Sequence, residues 1–473
     1  MKATSSRGIT GTSSAWHNGT AGWNSWNGVS MPPFSPGSAN SRPGSAGTIL
    51  PSAWKRGCSG ECFPFMESRC SACSGSDADS PMAAGPSRPL TIAWFTYFPV
   101  EWLDEAPEEI RSLPRMHPAT WQRVLFQEFR KETSLRLHII ALRKQFRRSL
   151  SFELDNAMFH CVRVPGGFRA PSLFWWDTIE VSRILRKIQP DLVHAWGSEN
   201  GAASIATRLG YPSVVTMQGI MGWMKELGVA GAYQKFAAVL EHSALRRLRH
   251  VSAESSFAIQ YLGARYPNLR LQQIEHAPNW LFHSTPRHPQ LSPRRFINVG
   301  TLSHAKGTDV LLAALDRLCG TMEFELVIVG GASQEAMDAY RRSCSAKLWE
   351  RIVFRNHLTP EQLALELSRS ALMIYPSRAD NSPNAVKEAV AAGLPVVASA
   401  VGGIVDYVLP GENGFLFPPG DVEGCVRSIQ QACGQETLGM GIVPPHVLSP
   451  LRAHLSPRTM AGKFLSLYQT AAV

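Results

Sequence analysis

The sequence predicts an α/β protein: two doubly wound, parallel-sheet domains facing each other across a cleft, with a disordered N-terminal tail. Three observations carry this. From Leu90 onward, short apolar runs alternate with amphipathic helical stretches, the pattern of a parallel sheet with helices on both faces. The alternation breaks once, at the proline-rich polar connection PRHPQLSPRR (286 to 295), and then resumes. A chain of 473 residues that is 44% hydrophobic can supply two cores.

Residues 1–87 are rich in Ser, Gly, Pro and Trp without sustained periodicity, and are read as disordered. Cys58, Cys62, Cys70 and Cys73 cluster there. Paired cysteines can bind zinc, but the first pair has one residue too many and no strand or helix fixes its geometry, so no metal site is assigned. The first domain spans 88–285. LTIAWF, LRLHII, DLVHAW and PSVVTM read as its strands, continued by HVSAES and LQQIEHAP. Between them WQRVLFQEFRKE, TIEVSRILRKI, GAASIATRL and YQKFAAVLEHSALRRL read as helices. The second domain spans 286–455, with strands RFINVG, FELVIVGG, RIVFRN, ALMIYP, PVVAS and GFLF and helices such as DVLLAALDRL. Residues 456–473 form a last amphipathic helix, with Met460, Phe464 and Leu467 at helical spacing.

No run of about 18 apolar residues suggests a membrane span, and the N-terminus shows no apolar h-region, so a cytoplasmic location is expected. Five cysteines, Cys161, Cys319, Cys344, Cys425 and Cys433, are scattered through the globular part and read as small buried hydrophobes in a reducing compartment. The net charge of +10 has local sources in RKQFRR (143–148) and RRLRH (246–250), both in the first domain. Each alone reads as a solvated helix face. Two in one domain keep peripheral contact with an anionic membrane, at its inner face, in view. Nothing resembles a nucleic-acid-binding motif, so no nucleic acid partner is expected.

Ligands of doubly wound sheets sit at the carboxyl ends of strands, and three loops of the second domain lie there. In NVGTLSHAKG, Gly300 permits close approach to a ligand and Lys306 offers a cation. IVGGAS places Gly330 and Gly331 at another strand end. The third loop opens SRADNSPNAVKEAVAAGLPVVASAVGG, where Ser382 suits a helix N-cap and Pro383 the first helical position. Asn384 and Glu388 then share a helix face, and Gly393 ends the helix. A helix N-terminus attracts phosphate, and Asp380 and Glu388 on either side of it could bind the hydroxyls of a phosphate-bearing ligand.

The run from Asn298 to Cys433 resembles the donor-binding half of glycosyltransferase family 4, the retaining group with the GT-B fold of two Rossmann-like domains. The resemblance rests on GTLSHAKG, on DNSPNAVKEAVAAGLPVVASAVGG and on GENGFLFPPGD, and extends more loosely to PDLVHAWG and Ala277–Asn279 in the first domain. It implies hexose transfer from a UDP- or GDP-linked sugar to a glycan or lipid-linked acceptor, in cell-surface polysaccharide biosynthesis, without cofactor or metal. It implies that Lys306 neutralises the donor diphosphate, that Glu388 holds the ribose hydroxyls, and that Asp380 takes the place of the glutamate touching the hexose. The amides of Ser382 to Val386, through Asn384 and Ala385, with Asn381 beside them, would cradle the distal phosphate and sugar; Gly300, Thr301, Gly330 and Gly331 would line the donor. The base edge would lie near Asn356 and His357.

Three departures stand out. Thr301 replaces the family's arginine, the first acid is an aspartate, and Gln218 stands where many members have a histidine beside the reacting carbon. Glutamine positions hydroxyls but shuttles no protons. His194, ending a strand in HAWGSE, is expected to point toward the cleft, with a backbone-bonded histidine as the alternative. Glu199 could meet the acceptor, and the loop FPVEWLDEAPEEI with His117 would shape the acceptor pocket. The resembling fold also implies that the last helix crosses back, so that Phe464 and Leu467 contact the first domain. Two other readings are weighed: a non-catalytic nucleotide-sugar-binding subunit, and an NAD-dependent dehydrogenase, which lacks the expected G-x-G-x-x-G.

Overall fold

A computed structural model describes residues 88–115, 119–228, 230–356 and 358–472, all within one compact unit, Arg88–Val473. The tail with its four cysteines, and His117 and His357, lie outside the described residues.

The first sheet has eight strands: β1 (Leu90–Thr96), β2 (Leu135–Arg143), β3 (Leu150–Leu154), β4 (Ala157–Arg163), β5 (Leu192–Trp196), β6 (Ser213–Met217), β7 (His250–Ala253) and β8 (Arg270–Gln273). Their order is β3-β4-β2-β1-β5-β6-β7-β8, parallel except for the antiparallel β3–β4 pair. That hairpin is missing from the sequence reading. It turns at Asp155–Asn156, where Asp155 adopts a positive φ of 52°. The second sheet has six parallel strands: β9 (Arg294–Val299), β10 (Phe324–Val329), β11 (Ile352–Arg355), β12 (Leu372–Tyr375), β13 (Val396–Ser399) and β14 (Gly414–Phe417). Their order is β11-β10-β9-β12-β13-β14. In each sheet the order reverses once, between β1 and β5 and between β9 and β12, and such switch points open the crevice used by ligands.

Helices cover both faces of each sheet, giving two cores per domain. The C-terminal helix (Pro457–Ala471) joins the first domain's core: Met460, Phe464, Leu467 and Tyr468 are buried with Trp94, Phe129 and Trp196. Its sequence neighbour (Pro445–His454) packs on the second domain instead. The basic run 143–148 is not a helix face. Arg143 ends β2, is buried, and pairs with Glu101 at 2.7 Å, while Lys144, Arg147 and Arg148 sit exposed in the following turn.

The domains also meet directly. The carboxyl ends of β6, β7 and β8 face the loops that follow β12 and β13. Ser256 N–H donates to Asp406 at 2.8 Å and Gln273 reaches the same carboxylate at 3.2 Å. Lys387, fully buried, sits 3.0 Å from Glu254, whose other oxygen is 3.0 Å from His276 Nδ1. Burial works against the Glu254 charge, but His276 and Lys387 outweigh it and hold its pKa below the usual range. The same burial pushes His276 down.

Candidate active site

The loops after β9 and β12 flank the switch point, and glycines let them approach. Gly300 (φ 147°) faces open space, and a Cβ on Gly330 would stand 2.2 Å from the Gly300 carbonyl. A Cβ on Gly307 would stand 1.9 Å from the Pro376 carbonyl. Arg378 N–H donates to Ala305 O at 2.9 Å, which stitches the two loops together. This brings Lys306 Nζ to 2.5 Å from Asp380 Oδ2, and the Tyr375 hydroxyl donates to the same oxygen at 2.8 Å. Desolvation opposes the Lys306 charge, but Asp380 prevails and its pKa is raised. The neighbouring cation Arg378 is committed to Asp309 through two bonds of 2.7 Å. Lys306, itself paired with Asp380, is thus the cation of these loops that Asp309 does not hold.

The helix Asn384–Ala391 begins beside this pair. Its cap is Pro383, one residue later than the sequence suggested, with no side-chain cap, so Ser382 does not act as N-cap. Proline has no N–H to cap and its φ of −70° suits the turn into a helix. Val386 N–H already donates to Pro383 O at 3.2 Å, which removes it from the expected cradle. The amides of Asn384 and Ala385 have no partner among the described bonds and remain available. Glu388, four residues after Asn384, makes no described hydrogen bond or ion pair, and burial pushes its carboxyl up to about 7. Gly402 is required by the loop itself, since a Cβ there would stand 1.8 Å from Asp380 O.

Asn381 has a different task from the one expected. Its amide donates to Gln218 O at 2.8 Å and accepts from Ser255 Oγ at 2.8 Å, so the side chain is occupied by the first domain. That contact places Gln218 next to the Asp380 loop. Gln218 Nε2 is out of solvent with no partner among the described residues. The adjacent Gly219 N–H donates to Glu199 at 2.6 Å, and burial pushes Glu199 up to about 7 despite that bond. Asp380, Asn381, Gln218 and Glu199 thus form one continuous line from the second domain to the first. Thr301 and Gly331 stand half-buried on the strand-end loops, and Asn356 lies exposed after β11.

His194 corrects the sequence reading. It is fully buried, with Nδ1 2.6 Å from the Tyr468 hydroxyl and Nε2 2.7 Å from Thr216 Oγ1. Desolvation holds its pKa well below the ordinary value. Its side of β5 faces the C-terminal helix, not the crevice, so it belongs to the core. Sequence reasoning missed Tyr375, Lys387, Glu254, His276 and Asp406. Lys387 alone left a signal, as a lysine on the buried face of an apolar helix beside Val390 and Ala391.

Two family models match the chain: Glycosyl transferases group 1 over residues 293–435, and Glycosyl transferase 4-like domain over residues 130–280. Together they take in well over half of it. The chain belongs to the group 1 glycosyltransferases and has the GT-B fold. Among curated relatives, the glycogen synthase of Mycobacterium tuberculosis is 25% identical over 252 residues, 52% of this chain and 60% of that protein. A GDP-mannose-dependent alpha-mannosyltransferase of Corynebacterium glutamicum is 25% identical over 252 residues, 50% of this chain and 57% of that one. The chain thus spans somewhat over half the length of these relatives. The sucrose-phosphate synthase of Thermosynechococcus elongatus superposes with a TM-score of 0.64 at 17% identity, covering 80% of this chain and 98% of that one. An Anabaena protein solved with UDP and glucose gives 0.57 at 14% identity, covering 80% and 100%.

Proposed function

We propose that this group 1 glycosyltransferase moves a hexose from a UDP- or GDP-linked sugar to a glycan or lipid-linked acceptor, with retention at the anomeric carbon. The observation behind this is the Lys306–Asp380 pair beside an open helix N-terminus, with unpaired Glu388 one turn further in. A diphosphate would share Lys306 with Asp380 and accept from the Asn384 and Ala385 amides. Glu388 would accept from the ribose hydroxyls, and Asp380 from the hexose. The bond from the anomeric carbon to the diphosphate breaks as the bond to the acceptor oxygen forms, and the acceptor's proton passes to the departing diphosphate. Positioning and electrostatic stabilisation then supply the catalysis. No metal or cofactor enters this scheme. Gln218 and Glu199 would orient the acceptor side. The setting proposed is cytoplasmic assembly of cell-surface polysaccharide. The names of the relatives, one of them GDP-mannose-dependent, are in keeping with a nucleotide-sugar donor.

Thr301, which supplies no cation, and Gln218 favour a second reading, a non-catalytic nucleotide-sugar-binding subunit. One experiment separates the two. A thermal-shift panel of UDP, GDP, ADP and their sugars selects the donor, which is then incubated with the protein without acceptor. Slow hydrolysis giving a sugar of retained configuration by NMR supports the enzyme. Binding without any turnover supports the subunit, and no stabilisation by any member of the panel refutes both.

A further inference from the structure

The chain exposes a cluster of large apolar side chains on the outer surface of the first domain. Phe168 (70% exposed), Leu173, Trp175 (53%), Trp176 and Ile179 fall within one segment, which runs from the end of β4 into the helix Trp175–Ile188. Soluble surfaces seldom gather such residues without a partner. The inner face of that helix is accounted for, because Thr178, Val181 and Leu185 are buried on the first sheet. The outer face reads Trp176, Ile179, Arg183, Arg186, so one turn of apolar contact leads directly into cations, with Lys187 beside them. Further cations border the aromatic end. Lys144 lies against Gly166, and the Arg208 guanidinium stands 4.6 Å from the Trp175 ring centre. Carboxylates offset them only in part: between 163 and 188 the only acids are Asp177, buried and paired with Arg169, and Glu180, paired with Arg183, so Arg186 and Lys187 keep a net positive charge beside the rings.

We infer that this surface docks on an anionic phospholipid bilayer, with the rings of Phe168, Trp175 and Trp176 at the headgroup level and the Arg and Lys side chains on lipid phosphates. Tryptophan is suited to that depth because its body is apolar and its N–H is polar. Basic side chains add attraction of about 1 kcal/mol each, roughly fivefold in affinity. No helix among the described residues is long and apolar enough to cross a membrane, so the contact is peripheral. The patch also adjoins the first domain's side of the crevice. The Phe174 ring occupies the space a Gly201 Cβ would need, and the Tyr233 hydroxyl donates to Glu199 O at 3.0 Å. If the proposed function holds, a lipid-linked acceptor would reach Glu199 from the membrane plane. Docking itself does not depend on that reading.

The test is sedimentation of the full chain with phosphatidylcholine vesicles, with and without phosphatidylglycerol, in the absence of any nucleotide sugar. Binding to the anionic vesicles only is expected. Trp175→Ser with Trp176→Ser should weaken it at least about tenfold, and R183E, R186E and K187E together about a hundredfold or more. All five positions are exposed, and an unchanged melting temperature confirms folding. Binding that ignores lipid charge, or variants that sediment like wild type, would overturn the inference. So would a wild-type dimer that the tryptophan variant converts to monomer, because a second copy would then be the occupant. Loss of donor binding with vesicle binding intact would count against the proposed function and leave the docking surface standing.

Discussion

Replacing Lys387 with methionine removes one member of the most deeply buried charge pair between the two domains while nearly preserving its volume. Lys387 is 0% exposed and Glu254 5%, at 3.0 Å. At an effective dielectric near 20, two charges at that distance attract by about 5 kcal/mol. Breaking a buried pair by removing one partner costs about 3–5 kcal/mol, because the other charge is left uncompensated. His276 tempers this. It already contacts the second oxygen of Glu254, and Lys387 is one of the groups holding its pKa down. With Lys387 gone, His276 protonates more readily and partly replaces it, so the penalty should be smaller at pH 6 than at pH 8. The assay is denaturant unfolding followed by tryptophan fluorescence at both pH values, for K387M, E254Q and the double variant. The double variant should recover most of the loss, since neither charge is then stranded. A K387M cost below about 1 kcal/mol at pH 8, or a double variant no better than the single ones, would refute the claim that this pair joins the domains.

Three further expectations follow from the site and its supports. Glu388 has its pKa raised from 4.5 to about 7, so its ionisation destabilises the folded state: the contribution is intact below about pH 4.5, declines by about 3 kcal/mol up to pH 7, and is constant above. Glu388→Gln should therefore gain stability over wild type as pH rises through that window, and a pH-independent difference would contradict the burial assigned to it. His194→Gln should lower the melting temperature yet leave the pH dependence of turnover unchanged, and a lost limb of that profile would return His194 to catalysis. Ending the chain after Leu455 removes Phe464 and Leu467, whose burial contributes roughly 3–6 kcal/mol, and deprives His194 of Tyr468; the truncated chain should unfold at markedly lower denaturant, and full activity would refute the packing of the last helix on the first domain.

The parallel strands were legible because buried strands read as continuous Val, Ile and Leu runs between amphipathic helices. The β3–β4 hairpin was not read: half of Ser151 to Leu154 faces solvent, and its polar alternation carries little hydrophobic signal. Local motifs located Lys306, Asp380 and Glu388, since a strand end, a glycine and a helix start lie close together in sequence. The seam around Glu254, His276 and Asp406 was not visible, and Lys387 showed only as a buried lysine, because the pairs that cross between the domains, Lys387 with Glu254 and Asp406 with Gln273, join residues 133 apart and form only in the fold. His194 was misjudged for the same reason. The hydroxyl that occupies its Nδ1 arrives from Tyr468, 274 residues away.

The central claim is that the switch point between β9 and β12 holds a nucleotide diphosphate, and calorimetric titration with the nucleoside diphosphate selected by the panel tests it directly. Wild type should bind, and Lys306→Ala and Glu388→Ala should each weaken that binding by at least about tenfold, a change of about 1.4 kcal/mol, without altering the far-ultraviolet circular dichroism. Asp380→Ala should retain the bare diphosphate while losing affinity for the intact sugar donor. Binding that survives unchanged in both Lys306→Ala and Glu388→Ala would place the nucleotide elsewhere and contradict the account.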